Sequence, residues 1–197
     1  MREVELKAVV DDLGARRARI QRAGATLAFE GKLRDQRYDV DSRELSQRDE
    51  VLRVRSYQSR DTTRTVLDWK GPTETQDVYK VREEISTPVE NLKALTSILE
   101  QLGFRPIREI DRQIVQYELG GASIRFETYP RMDTLVEVEG EPEAIEGAIA
   151  ALGMARGEFT SERLPDFVAR FEQRTGVQAA ICDRELDGDY SLRLIEG

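Results

Sequence analysis

The 197-residue sequence contains no histidine. That removes Ser-His-Asp and Cys-His nucleophilic machinery and every zinc or haem site that depends on imidazole. Cys182 is the single cysteine, so an intramolecular disulfide, an iron–sulfur cluster and a CxxC redox pair are excluded as well. No apolar run approaches the ~20 residues of a membrane span. Met1 leads within two residues into a charged alternation rather than into a leader peptide. A cytoplasmic protein without a membrane partner is therefore expected. Charge, by contrast, is abundant: 35% of residues are charged, well above the ~25% of an average globular chain. Thirty basic against 38 acidic residues give a net charge of −8. That balance argues against nucleic acid as a partner, yet leaves room for one basic pocket inside an acidic protein.

The length suits one domain with a proper core. Alternation of period two recurs along the chain, first over Glu3 to Val9, where Glu3, Glu5 and Lys7 share one face and Val4, Leu6 and Ala8 the other. Further strands are read over Lys32 to Val40, Val51 to Tyr57, Arg64 to Lys70, Val78 to Thr87, Ile107 to Leu119, Ala122 to Tyr129 and Leu135 to Gly140, with Gly120-Gly121 as a hairpin turn. Helices are read over Asp11 to Ala23, Val89 to Leu102, Pro142 to Leu152 and Ser161 to Gln173, each with apolar residues at helical spacing. The pattern weakens after Thr175, which predicts a domain over residues 1–174 and a tail of unassigned role over 175–197. Strands joined by short turns are antiparallel.

The polar faces of these strands carry closely spaced charges: Glu3 and Glu5, Arg53 and Arg55, Lys80 and Arg82, Glu137 and Glu139. The apolar faces need cover, and the striped helices supply it. An α+β protein follows, either an eight-stranded antiparallel barrel with a charged lumen or an open sheet with one wet face. Glutamates two apart on a strand lie roughly 6.5–7 Å apart at Cα. Convergent carboxylates from Glu3, Glu5, Glu137 and Glu139, with Glu127 on the preceding strand, suit a hard divalent ion; the alternative is a solvated polar face. Lys7, Arg53, Arg55, Lys70, Arg82, Arg112 and Arg125 are the matching bases, which would cradle a polyphosphate or else pair with the glutamates across strands. No GxxxxGK[ST] or GxGxxG loop is present.

Glu3-Val4-Glu5-Leu6-Lys7 resembles the ExExK signature of the CYTH superfamily, the triphosphate tunnel metalloenzymes. The order of the later segments strengthens the likeness: Leu52-Arg53-Val54-Arg55, Trp69-Lys70-Gly71-Pro72, Arg82-Glu83-Glu84, Arg108 to Arg112, Phe126-Glu127 and Val136-Glu137-Val138-Glu139-Gly140. It covers about residues 1–172. The resemblance implies an eight-stranded antiparallel tunnel, Mg²⁺ or Mn²⁺ as cofactor, and a triphosphate-bearing small molecule (inorganic triphosphate, ATP or thiamine triphosphate) as partner, in a monomer or homodimer.

Carried onto this sequence, the resemblance makes Glu3, Glu5, Glu127, Glu137 and Glu139 the metal-binding acids. It makes Lys7, Arg53, Arg55, Lys70, Arg82, Arg112 and Arg125 the phosphate-binding bases, with Lys7, Arg55 and Glu127 acting in catalysis. Two positions depart from the family's pattern. Glu127 stands where Asp is common, with Asp133 as the substitute, and Arg112 lies where Lys is common, with Arg108 as the alternative. The expected activity is a metal-dependent triphosphatase, with a class IV-type adenylate cyclase as the runner-up. Retained acids favour an enzyme over a polyphosphate-binding module, because an anion gains little from extra carboxylates.

Overall fold

Period-two alternation puts one side of every strand out of water, and closing the ladder is the arrangement that leaves no edge. The computed structural model describes residues 2–193; Met1 and residues 194–197, the last four of the expected tail, lie outside the described residues. The elements run β1 (Arg2–Val9), α1 (Leu13–Arg22), β2 (Thr26–Asp39), α2 (Glu44–Gln47), β3 (Val51–Gln58), β4 (Thr63–Lys70), β5 (Glu74–Gln76), β6 (Tyr79–Pro88), α3 (Leu92–Gln101), β7 (Arg105–Leu119), β8 (Ala122–Thr128), β9 (Leu135–Glu139), α4 (Pro142–Leu152), α5 (Leu164–Thr175) and α6 (Asp183–Leu186). Strand order is β1-β9-β8-β7-β2-β3-β4-β6-β5, and β1 also pairs with β6. Eight antiparallel strands thus close on themselves, with β5 added outside on β6. The barrel reading holds; the open sheet does not.

Register fixes which side chains meet inside. Glu5 stands opposite both Lys80 and Glu139, Lys7 opposite Glu137, Asp35 opposite Arg55 and Arg53 opposite Asp68. The intervening residues point outward into apolar cover. Val4, Leu6 and Ala8 of β1 join Ile124 and Phe126 of β8, Val136 and Val138 of β9, Ile20 of α1 and Ile145, Ile149 and Leu152 of α4 in the main core. A second cluster gathers Ile110, Tyr129 and Leu135 under Phe167 and Val168 of α5 with Ala179 and Ile181. Leu99 of α3 packs with Tyr38 and Val54 in a third.

Local signals behave as their chemistry requires. Asp12 and Asn91 cap α1 and α3, each accepting a backbone N–H at 2.9 Å. Gly120 and Gly121 both have positive φ, +58° and +86°, which a tight hairpin between β7 and β8 demands. β2 begins six residues before the expected start because a register shift between Leu27 and Phe29 breaks its alternation. At Gly31 a Cβ would sit 2.2 Å from the Gln58 carbonyl oxygen, so only glycine lets β3 pass there.

The patternless stretch after Thr175 is ordered against the barrel. Ala179, Ala180, Ile181 and Cys182 are buried, Ala180 pairs with Arg131, and the Asp111 N–H donates to the Ile181 carbonyl at 2.8 Å. That segment takes the edge of β7 which β8, whose pairing starts at Gln113, leaves open. Among the described residues no helix is long and apolar enough to cross a membrane.

The α3 stripe is less buried than its periodicity implies: Ile98 and Leu102 are 56% and 65% exposed, whereas Ile145 of α4 is fully buried. Ile145→Ala is expected to lower unfolding free energy by about 2–5 kcal/mol, and Ile98→Ala by no more than about 0.5 kcal/mol, in urea denaturation followed by circular dichroism.

Candidate active site

Charges forced into the lumen by strand register have little water, so each must find a partner or shift its protonation. The centre is a cavity of about 70 Å³. All seven predicted bases line it, as do Glu3, Glu5, Glu127 and Glu137. Glu139 lies one step outward, in the mouth next to Glu3. Of the two alternatives raised by the sequence, Asp133 is on the surface, paired with Arg174 at 2.6 Å. Arg108 is buried, but it is Arg112 that reaches the cavity.

Two carboxylates organise the arginines. Asp35, 1% exposed, accepts from Arg55 Nε at 2.7 Å and Nη2 at 2.9 Å, accepts from Arg112 Nη2 at 3.1 Å, and lies 3.5 Å from Arg53 Nη1. Glu127 accepts from Arg112 Nε at 2.9 Å, Arg125 Nε at 3.1 Å and the Tyr129 hydroxyl at 2.6 Å. Burial alone would raise both carboxyl pKa values. The guanidinium groups of Arg55, Arg112 and Arg53 instead hold Asp35 well below the usual range, and those of Arg112 and Arg125 do the same for Glu127. Tyr129 is pushed upward by burial and by Glu127. Arg112 retains one buried Nη1 donor without a hydrogen-bond acceptor among the described residues.

The lysines hold the other acids. Lys70 Nζ donates to Glu3 at 2.5 Å and lies 3.4 Å from Glu84. Lys7 bridges Glu5 at 3.0 Å and Glu137 at 2.6 Å. Glu5 also pairs with Lys80 and Glu137 with Arg125. Burial pushes Lys80 down to about 8, although Glu5 opposes the shift. Arg82 is turned aside, donating to the Gly71 carbonyl at 2.6 Å and the Asp49 carbonyl at 2.5 Å.

Glu139 is different. It has no hydrogen-bond or ion-pair partner among the described residues, and burial followed by the charges of Glu3 and Glu5 raises its pKa. Among the described residues no three carboxylates are gathered closely enough to form a ready metal cluster; Lys70 holds Glu3 and Lys80 holds Glu5. The donor set of Glu3, Glu5 and Glu139 is nonetheless all oxygen, and its surplus negative charge at Glu139 suits a hard divalent cation.

Four lumen residues escaped the sequence reading as site residues: Lys80, Asp35, Asp68 and Arg37. A usable signal existed. Asp35 and Arg37, and Asp68 and Lys70, are spaced by two on strands whose phase was already set. Asp68 accepts from Arg53 at 2.7 Å and from Ser86 Oγ at 2.6 Å.

A closed antiparallel barrel whose lumen is lined by ion-paired Lys, Arg, Asp and Glu defines a tunnel fold. The description "CYTH domain" matches residues 1–147, and the chain belongs to that family. A Methanocaldococcus jannaschii protein named "Putative adenylate cyclase MJ0240" is 30% identical over 127 residues, 63% of this chain and 69% of that protein. The PH1819 protein of Pyrococcus horikoshii superposes with a TM-score of 0.71 at 22% identity over 85% of this chain and 98% of its own. HpAC1 from Hippeastrum, whose structure is described as revealing a dominant triphosphatase activity, gives 0.58 at 14% identity over 87% and 96%. At these identities the two solved structures share the fold.

Asp35 gives the sharpest test of the network. Its folded pKa lies below the ordinary value of 3.8, so its stabilisation is complete above that value and is lost as pH falls through the folded value. Asp35→Asn, which strands three buried arginines, is expected to cost about 3–5 kcal/mol at pH 7. In denaturant titrations over decreasing pH, the gap to the wild type should narrow only below 3.8.

Proposed function

We propose that this chain is a divalent-metal-dependent triphosphatase acting on inorganic triphosphate or a small organic triphosphate. The observation that carries the reading is the lumen's charge. Among the described residues nine cationic side chains and five carboxylates line the central cavity, inside a protein whose net charge is −8. An excess of buried cations in an acidic chain needs a polyanion to complete it, and the orphaned Arg112 Nη1 is a donor aimed at one.

Arg55, Arg53, Arg112 and Arg125 would bind phosphate oxygens as forks, with Asp35 and Glu127 fixing their orientation. Glu127 is held too acidic to accept a proton readily, which makes it a positioning carboxylate. Lys7, Lys70 and Arg82 would contact the remaining oxygens, Arg82 by exchanging backbone carbonyls for phosphate. A divalent cation held by Glu3, Glu5 and Glu139, with Glu137 beside them, would supply Lewis-acid charge against the phosphoryl oxygens. Lys70 and Lys80, paired with Glu3 and Glu5, would be the cations available to phosphate oxygens were those carboxylates to hold the ion. Water then adds to the terminal phosphorus as the bridging P–O bond breaks, its proton passing to solvent, and orthophosphate and diphosphate leave. A second reading, adenylate cyclase, is favoured by the name of the archaeal relative; there the ribose 3′-hydroxyl would replace water.

Purified protein incubated separately with inorganic triphosphate, thiamine triphosphate and ATP, each with Mg²⁺, Mn²⁺ or EDTA, should release orthophosphate that EDTA abolishes, seen by ³¹P NMR. Cyclic AMP with pyrophosphate would establish the second reading, and no turnover would overturn both. Glu5→Gln should remove turnover while leaving the circular dichroism spectrum intact. Arg55→Ala should weaken triphosphate binding about 10- to 100-fold and orthophosphate binding much less, by calorimetry.

A further inference from the structure

The two ends of the tunnel differ in charge. At one end a mouth of about 550 Å³ is lined, among the described residues, by six cations and two carboxylates: Lys7, Arg37, Lys80 and Arg82 from the barrel, Arg43 and Arg163 from outside it, against Asp49 and Glu50. At the other, a mouth of about 600 Å³ carries three cations, Arg64 among them, and four carboxylates that include Glu84 and Glu139. From these unequal mouths we propose that the tunnel is electrostatically one-way: anionic substrate arrives through the cationic mouth, steered there by Arg43. The proposal rests on the triphosphate reading above and adds a direction to it.

Three features support the assignment. Arg43 is exposed and has no ion-pair partner among the described residues, so its charge acts on the solvent side of the mouth. It is held there in the left-handed region, at φ +59°, where arginine is seldom found. The segment carrying it is pinned by Asp39, which is fully buried and accepts the N–H groups of Val40, Leu45 and Ser46 and the Ser46 hydroxyl. It is tied again at Asp49, whose carboxylate accepts from Arg163 Nη2 at 2.9 Å and whose carbonyl accepts from Arg82. Arg82, Lys80 and Lys7 line both this mouth and the central cavity, so cationic side chains connect the two. At the opposite mouth only Arg64 of the three cations is exposed, and the four carboxylates, even with a divalent cation on Glu3 and Glu139, leave less net positive charge to attract an anion than the six cations and two carboxylates of the first mouth.

The test is kcat/KM for inorganic triphosphate across ionic strength, read by orthophosphate release. Asn and Asp both accept the left-handed backbone better than Arg, so Arg43→Asn and Arg43→Asp change charge in steps without straining the loop. At about 10 mM salt, where the screening length is about 30 Å, Arg43→Asp should lower kcat/KM about tenfold and Arg43→Asn by an intermediate factor, with kcat unchanged. At about 1 M salt, with screening over about 3 Å, the three proteins should converge. Arg64→Glu, which reverses an exposed charge at the opposite mouth, should change kcat/KM by less than about twofold. Equal values for the Arg43 series at low salt, or an equal fall for Arg64→Glu, would overturn the direction of access while leaving the triphosphatase reading intact. A wild type that turns over no triphosphate would overturn that reading, and this proposal with it.

Discussion

Everything else in the structure follows from the need to neutralise charges that a closed ladder has turned inward. Once eight strands complete a ring, each period-two polar face is shut away from bulk water, and an isolated charge there would cost several kcal/mol. Asp35 and Glu127 meet that need by gripping the guanidinium groups around them. Lys7, Lys70 and Lys80 do so for the glutamates of β1 and β9. Pairing is incomplete by design of the count. Among the described residues cations outnumber acids in the centre, and that imbalance is the feature on which the proposed triphosphate binding rests.

The network also orders the roles of its members. Residues that can exchange partners, such as Arg82 on two backbone carbonyls or Lys70 between Glu3 and Glu84, suit the changing contacts of a ligand. Residues locked into several bonds at once, such as Asp35, suit holding the walls still. Among the described residues α1, α3 and α4 contribute nothing to the lining of the central cavity. Their task is to keep the outer faces of the strands dry, which α1 and α4 do thoroughly and α3 only along the line of Leu95 and Leu99.

Much of this was legible in the sequence because alternation is a local signal. Glu3, Glu5 and Lys7 against Val4, Leu6 and Ala8 fix the phase of β1 within seven residues. The ring itself was not legible: whether β1 meets β6 is a matter of long-range pairing, and the residues alone allowed an open sheet. Lys80 was placed beside Arg82 on the charged face but not among the site residues, and Asp35 was passed over because a lone charge reads as surface. Only cross-strand register shows Lys80 facing Glu5 and Asp35 facing Arg55. The first half of β2 was hidden by its irregular register, and the stretch after Thr175 because four consecutive residues, Ala179 to Cys182, are buried without a helical or alternating period while backbone pairing at Arg131 and Asp111 holds them.

The closure of β1 onto both β6 and β9 has a consequence for the order of assembly. β1 precedes both of its neighbours in the chain, which end at Pro88 and Glu139. Its edge toward β6 can pair once residue 88 follows it, but its edge toward β9 stays open until residue 139. Pairings of such long sequence separation form late and slowly. The strand that carries Glu3, Glu5 and Lys7 is thus the one that zips the ring shut, so assembly of the charged centre coincides with completion of the fold. A partly closed barrel would hold half of its ion pairs open to water, with no tunnel in which to use them.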